Sequence, residues 1–295
     1  MLVLGFPEYR AATERLAAAL ALPCDIVALH RFPDGESLIR APAELPRRVL
    51  LCRSLFQPND KLVELCFLIE HLRDQGVKEI ILVAPYLGYM RQDKAFHPGE
   101  VVSQHALGRL LARGIDGIFT VDAHLHRTPV LSQAVPVDPA VNLTATEPMA
   151  AFLEGRLDNP LLVGPDEESR QWVAAIAARE GLDFEVARKT RLGDREVRIE
   201  LPEFDCTGRH LVLVDDVAST GRTLEATARA LIPRGPASLS VLVTHALFVG
   251  DALDRLADAG VERIWSCDSI PHPTNVVHLD GLLAGALRPW VEGAR

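Results

Sequence analysis

A chain of 295 residues, 48% of them apolar, is long for one domain and comfortable for two of about 150 residues, each with a real core. A net charge of −9 argues against a general nucleic-acid binder, which would carry a basic face, but leaves room for anionic ligands, which need only a local positive site or a ring of backbone N–H groups. Apolar runs such as 80–85 and 211–214 fall far short of the roughly 20 residues of a membrane span. No basic stretch precedes the apolar start "MLVLG", which therefore does not read as a signal peptide. Cys24, Cys52, Cys66, Cys206 and Cys267 form no CxxC and no metal-ligand spacing, the usage of small buried thiols in a reducing cytoplasm.

In chain order, residues 1–5 are an apolar run and 11–22 an amphipathic helix, and 48–52 read as a strand. "PNDKLVELCFLIEHLRDQG" (58–76) has a Pro-Asn-Asp start, an apolar-periodic body and a glycine stop, so both ends of a helix are marked. A strand at 79–84 is closed by Pro85, a helix at 101–113 is stopped by Gly114, and 117–121 is again a strand. The rhythm then repeats, with strands at 161–163, 211–214, 240–246 and 263–267 and helices at 168–180, 223–231 and 252–259. Alternating strands and helices predict an α/β protein with mainly parallel sheets flanked by helices, and the near-continuous apolar strands are those of sheets buried on both faces. The pattern occurs twice, about a polar segment near 138–148, where the domain boundary is expected.

Ligands of such folds bind at the carboxyl ends of the strands. Four unusual segments fall there: "RQDK" (91–94), "DAH" (122–124), "GPD" (164–166) and "DDVASTGRT" (215–223). The last is the most informative. A turn between a buried strand and a helix presents backbone N–H groups to an anion, Gly221 relieves sterics, and Ser219, Thr220 and Thr223 add hydroxyl donors. Asp215 and Asp216, acceptors only, suit neighbouring sugar hydroxyls or a metal ion. A sugar phosphate satisfies both halves; the plain alternative is a helix cap beside two solvated acids.

The other segments have plain alternatives too. "RFPDGESLIR" (31–40) contains an ordinary Pro-Asp-Gly turn. "APYLGYMRQDKAFHPGE" (84–100) could be a charged loop, and the histidine of "TVDAHLHR" (120–127) a structural hydrogen-bonding group. "VGPDEESRQW" (163–172) has good helix-start chemistry, and "ARKTRLGDREVRIELPE" (187–203) is a basic island that could be an exposed hairpin.

The acid-pair segment resembles the phosphoribosyl-pyrophosphate (PRPP) binding motif of type I phosphoribosyltransferases and PRPP synthetases. The remaining segments resemble PRPP synthetases in particular, in family order from about residue 5 to 272, and the 187–203 segment is similar to the archaeal-type form of the family. The resemblance implies two tandem type I phosphoribosyltransferase-like domains: 1–143 on the ATP side, 144–285 on the ribose 5-phosphate side, and a tail at 286–295. It implies ribose-phosphate diphosphokinase activity, transfer of the β,γ-diphosphate of ATP to the C1 hydroxyl of ribose 5-phosphate to give PRPP and AMP, with Mg2+ as cofactor, in a cytoplasmic homo-oligomer of at least two chains. Phe32 would stack on adenine, with Asp34 and Glu36 as acceptors; Arg91, Gln92, Asp93 and His124 would bind ATP, His124 and Asp166 the metal. Lys189 and Arg191 would stabilise the transition state, and Asp215, Asp216, Ser219, Thr220, Gly221, Arg222 and Thr223 would hold ribose 5-phosphate. Two departures stand out. Gly164 replaces the family's serine, and Arg222 stands where many synthetases have glycine or alanine. Arg222 keeps open a non-catalytic, regulatory homologue as an alternative, beside a phosphoribosyltransferase.

Overall fold

The structure is a computed structural model; it describes residues 1–125, 127–191 and 197–293, with the backbone alone at 189–191 and 197–198. The chain forms two compact units, Met1–Thr144 with Leu279–Arg295, and Ala145–His278.

The first unit begins with β1 (Leu2–Gly5), α1 (Arg10–Leu20) and β2 (Cys24–Ile26), followed by an antiparallel hairpin of β3 (Ala28–Arg31) and β4 (Ser37–Arg40). It continues through β5 (Arg48–Cys52), α2 (Pro58–Asp74), β6 (Glu79–Val83), α3 (Ser103–Leu111), β7 (Gly117–Val121), α4 (Leu131–Ala134) and β8 (Ala140–Leu143). Its sheet has the order β2-β1-β5-β6-β7-β8 and is parallel throughout. Helix α2 forms where its ends are marked. Pro58 opens it, Asp60 lies in the first turn and His71 and Arg73 in the last, each charge complementing the helix dipole. Leu62, Leu65, Ile69 and Leu72 make its buried stripe at helical spacing. Truncating one such leucine, Leu65 for example, costs about 2–5 kcal/mol.

The second unit contains α5 (Thr146–Leu153), β9 (Pro160–Gly164), α6 (Arg170–Glu180), β10 (Asp183–Val186), an antiparallel pair β11 (Arg188–Arg191) and β12 (Val197–Glu200), β13 (His210–Ala218), α7 (Arg222–Leu231), β14 (Ser238–Ala246), α8 (Ala252–Asp258), β15 (Arg263–Cys267) and β16 (Asn275–Val277). Its parallel sheet runs β10-β9-β13-β14-β15-β16. The two sheets therefore share one topology, each with a hairpin inserted after its second strand. In each, strand order reverses between the first strand and the third, and it is at such a switch point that a ligand crevice opens. All nine residues of β14 are buried, the polar Ser238, Ser240, Thr244 and His245 included, as in a central strand covered on both faces.

Two expectations change. The acid pair was expected to follow its strand, yet pairing continues through Asp215↔Val243 to Ala218↔Ala246, so the pair lies inside β13 and only 219–221 form the turn. Of the segment expected as a tail at 286–295, residues 286–292 belong instead to α9 (Asp280–Glu292), and Leu279–Arg295 groups with the first unit rather than the second. The reason is an apolar face: Leu283, Ala284 and Leu287 are buried. Arg288 donates to the Ala19 carbonyl at 3.2 Å, Trp290 Nε1 donates to Glu79 at 2.9 Å, and the Arg48 guanidinium lies 4.1 Å from the centre of the Trp290 ring.

At the switch point of the first unit sits Arg53, 1% exposed. Its Nε donates to Glu8 at 2.8 Å, one terminal nitrogen to the Lys61 carbonyl at 2.9 Å and the other to Glu64, with the Phe6 ring 3.6 Å away. Glu64 in turn accepts from Ser37 at 2.7 Å, tying the hairpin to α2. Removing one partner of such a buried ion pair costs about 3–5 kcal/mol, because the other charge is left uncompensated.

Candidate active site

In the second unit the site grows from the ends of β9 and β13. After β9, Asp166 caps the following turn: its carboxylate accepts from the Glu168 N–H at 3.1 Å, and the Ser169 hydroxyl donates to the Asp166 carbonyl at 2.6 Å. This capping explains Gly164, since a Cβ there would lie 2.5 Å from the Ser169 hydroxyl oxygen. Asp166 therefore serves the helix start and is still close enough to act electrostatically on Asp215.

Asp215 is half-buried and Asp216 buried. The Asp216 N–H donates to the Asp215 carboxylate at 3.0 Å. Burial, first, and then the negative charges of Asp216 and Asp166 hold the Asp215 carboxyl well above the usual carboxylate range. A group of carboxylates kept this close is receptive to hydroxyl donors or to a hard cation with oxygen ligands. Beyond it, the chain passes through Ser219 and Thr220 to Gly221, whose φ of +70° is the left-handed conformation glycine adopts without penalty, and enters α7 at Arg222. The first turn of a helix leaves N–H groups without intrahelical acceptors, and its dipole favours an anion there. Ser219 and Thr223 are half-buried and Thr220 and Arg222 exposed; Arg222 has no ion-pair partner among the described residues.

Two groups on this side escaped the sequence reading. The N–H groups of Leu247, Phe248 and Val249 bind the turn's carbonyls, and Arg255 on α8 reaches the Thr220 carbonyl at 2.5 Å while pairing with Glu225 at 3.1 Å. Arg255 lies on an ordinary amphipathic helix, so nothing in the sequence marked it. Lys189 and Arg191 fall on β11, opposite Ile199 and Val197; their side chains lie outside the described residues.

In the first unit the turn between β3 and β4 carries Phe32, Asp34 and Glu36. Phe32 N–H donates to the Glu36 carbonyl at 2.8 Å, and the Asp34 carboxylate accepts from the Glu36 N–H at 3.1 Å. Phe32 is 39% exposed and meets His30 edge-on at 4.7 Å. Asp34, Glu36, Asp60 and Glu64, with Val63 and Phe67, line a cleft of about 580 Å3. Its carboxylates repel phosphate and accept from an amine.

After β6, Arg91 is exposed and Gln92 half-buried, with the Gln92 side chain accepting from Ser103 at 3.3 Å. The Asp93 side chain is 4% exposed and takes two contacts from Arg127, at 2.8 and 3.1 Å. Asp93 is thus committed to Arg127, a residue just past the quoted Asp-x-His element. After β7, Asp122 adopts φ +39°, its N–H donates to the Leu143 carbonyl at 2.8 Å, and the Ala123 N–H donates to Asn142 at 2.9 Å; half-buried His124 follows. His124 belongs to the first unit and Asp166 to the second.

Among the described residues no helix is long and apolar enough to cross a membrane. Residues 1–113 match the family model for the N-terminal domain of ribose phosphate pyrophosphokinase, and residues 148–280 match that of the phosphoribosyl transferase domain. The chain is 36% identical to a ribose-phosphate pyrophosphokinase of Methanopyrus kandleri, over 97% of this chain and 98% of that one. It is 34% identical to the protein of the same name in Methanosarcina acetivorans, over 98% and 99%. The Sulfolobus acidocaldarius protein of that name is 32% identical, over 94% and 96%. The crystal structure of phosphoribosylpyrophosphate synthetase from Mycobacterium smegmatis shares the fold, with a TM-score of 0.83 over 99% of both chains at 23% identity.

Proposed function

The chain belongs to the ribose-phosphate pyrophosphokinase family, and from that premise we propose that it is a ribose-phosphate diphosphokinase, making PRPP and AMP from ATP and ribose 5-phosphate. The observation that carries this reading is the adjacency, within one unit, of the acid pair Asp215–Asp216 and the hydroxyl-rich turn 219–223 at the start of α7.

The second unit, 145–278, takes ribose 5-phosphate and the first takes ATP. The turn holds the 5-phosphate through backbone N–H groups and the hydroxyls of Ser219, Thr220 and Thr223, with Arg222 free to add charge. Asp215 and Asp216 accept from the ribose 2- and 3-hydroxyls and so aim the C1 hydroxyl. That oxygen bonds to the β-phosphorus of ATP as the bond to the α–β bridging oxygen breaks; AMP departs with the bridging oxygen and the C1 hydroxyl proton passes to solvent. Lys189 and Arg191 neutralise the charge that develops on the transferring group. No protein nucleophile is required, because phosphoryl transfer needs positioning and charge stabilisation above all. Phe32 stacks on adenine, with Asp34 and Glu36 accepting from its amine; Arg91 and Gln92 contact the nucleotide, and Asp93 keeps Arg127 in place.

The family's divalent metal fits the acidic cluster of the second unit, where the charges of Asp216 and Asp166 act on Asp215 and a hard cation would take carboxylate oxygens. Asp166 in the second unit and His124 in the first are the residues that would supply ligands, and in our reading the metal is Mg2+. When bound, Mg2+ neutralises charge on the β- and γ-phosphate oxygens.

The enzyme works as a cytoplasmic homo-oligomer of at least two chains. Supporting that reading, Val63 and Phe67 beside the hairpin are 53% and 60% exposed, and the cysteines are free. The test is AMP release from ATP with ribose 5-phosphate and Mg2+. Production of AMP and PRPP in equal amounts bears the reading out. Binding of ribose 5-phosphate without turnover would instead support a regulatory homologue.

A further inference from the structure

Three consecutive peptides of the phosphate turn direct their carbonyls to one side. The Ala218 carbonyl accepts from the N–H groups of Leu247 at 3.0 Å and Phe248 at 2.9 Å, and the Ser219 carbonyl accepts from Val249 at 2.9 Å. The Thr220 carbonyl accepts from Arg255 at 2.5 Å. These peptides are trans, and in a planar trans peptide the N–H points opposite to the C=O. The N–H groups of Ser219, Thr220 and Gly221 therefore all point away from this frame, and none of the three has an acceptor among the described residues. Phe248, buried and at φ +33°, is a non-glycine residue in a disfavoured conformation, and that conformation lets neighbouring N–H groups converge on the turn.

Two of the three carbonyls are fixed by backbone. The third depends on one side chain. Arg255 is itself anchored: Nε pairs with Glu225 at 3.1 Å, its remaining terminal nitrogen with Asp251, and the Glu225 N–H donates to the Gly221 carbonyl at 2.8 Å. Gly221 lacks a Cβ, so without Arg255 the Thr220–Gly221 peptide is free to rotate and turn its carbonyl toward an approaching anion.

We propose that Arg255 is the positioning residue of the phosphate turn: it holds the Thr220 carbonyl outward and so keeps the Gly221 N–H directed at the 5-phosphate. This rests on reading the turn as the seat of that phosphate. Arg255 touches no substrate, and its effect is confined to one substrate.

Arg255→Gln is expected to raise KM for ribose 5-phosphate roughly ten- to hundred-fold, the worth of a hydrogen bond to a charged group, with KM for ATP and kcat at saturation nearly unchanged. Arg255→Lys recovers part of the loss, since an ammonium can still donate to the carbonyl. Arg229→Gln removes the other guanidinium on Glu225, at 3.1 Å, without touching the turn, and should leave both KM values unchanged. Calorimetric titration with ribose 5-phosphate and with inorganic phosphate runs beside the kinetics, and thermal melting checks that each variant is folded. Wild-type protein that binds neither ligand defeats the reading of the turn, and the proposal with it. Wild-type protein that binds, with folded Arg255→Gln binding equally well, overturns the role of Arg255 alone. So does an equal loss in Arg229→Gln.

Discussion

Arg127 grips Asp93 with one terminal nitrogen, 2.8 and 3.1 Å from the two carboxylate oxygens, and leaves that carboxylate almost no solvent. The aspartate of "RQD" is thereby a brace between the loop after β6 and the loop after β7. A brace and a ligand contact respond differently to mutation. If Asp93 acts through Arg127, Asp93→Asn and Arg127→Ala each raise KM for ATP by about ten-fold, and the double variant is no worse than either single one. Additive effects in a double-mutant cycle would show that Asp93 meets the nucleotide directly.

Lys189→Ala is expected to lower kcat by about 100- to 1,000-fold, the usual loss on removing one preorganised stabiliser of transition-state charge. KM for both substrates should move little. Arg191→Ala should behave alike. Steady-state kinetics with each substrate varied in turn decides this, and an unchanged kcat removes Lys189 from the mechanism.

Asp215 makes the acid site costly for the free protein. Its folded pKa lies above its unfolded one, so between those values the folded state binds more protons, and stability falls as pH rises through the folded pKa. Asp215→Asn removes that loss. The variant should melt a few degrees higher than wild type at neutral pH, converge with it in acid, and bind ribose 5-phosphate poorly. Added Mg2+ should raise the melting temperature of wild type more than that of the variant. A variant that melts lower at neutral pH contradicts the account.

Lys61 carries the opposite sign. Burial lowers its pKa from 10.5 to about 8, against the attraction of Glu8. Between about 8 and 10.5 the unfolded chain binds the extra proton, so folded stability contributed by this group rises with pH across that window. Lys61→Met lacks the dependence. The difference between the wild-type and variant melting temperatures, followed across the window, should change in favour of wild type as pH increases.

Much of this architecture could be read from the residues. The apolar runs of β6, β7, β9 and β14 had no alternative but a buried parallel sheet, and the ends of α2 were written in Pro58 and Gly76. The acid pair and hydroxyl turn suggested a sugar phosphate because groups suited to both halves of one stand in a single continuous stretch. Legibility ended where function depended on partners distant in sequence. Arg255 reaches Thr220 across 35 residues, Arg127 reaches Asp93 across 34, and no local pattern encodes either meeting. The C-terminal helix was misjudged for the same reason. Its few apolar residues look like a tail until α1 and Glu79 are brought beside them.

The shared strand order of the two units has a further consequence. Gly5 pairs with Cys52 at the end of β1, and Val163, next to Gly164, pairs with Leu213 near the end of β9. Arg53–Ser54 in one unit thus occupies the place of Asp215–Asp216 in the other. At that place the first unit carries a cation paired with its own Glu8 and Glu64, while the second carries two adjacent acids, with the Asp215 carboxyl held well above the usual range. One half sets opposite charges together at this place; the other sets like charges side by side. A single repeated scaffold thereby carries an ion pair in one unit and an acid pair in the other, and the difference comes down to which two residues occupy that place.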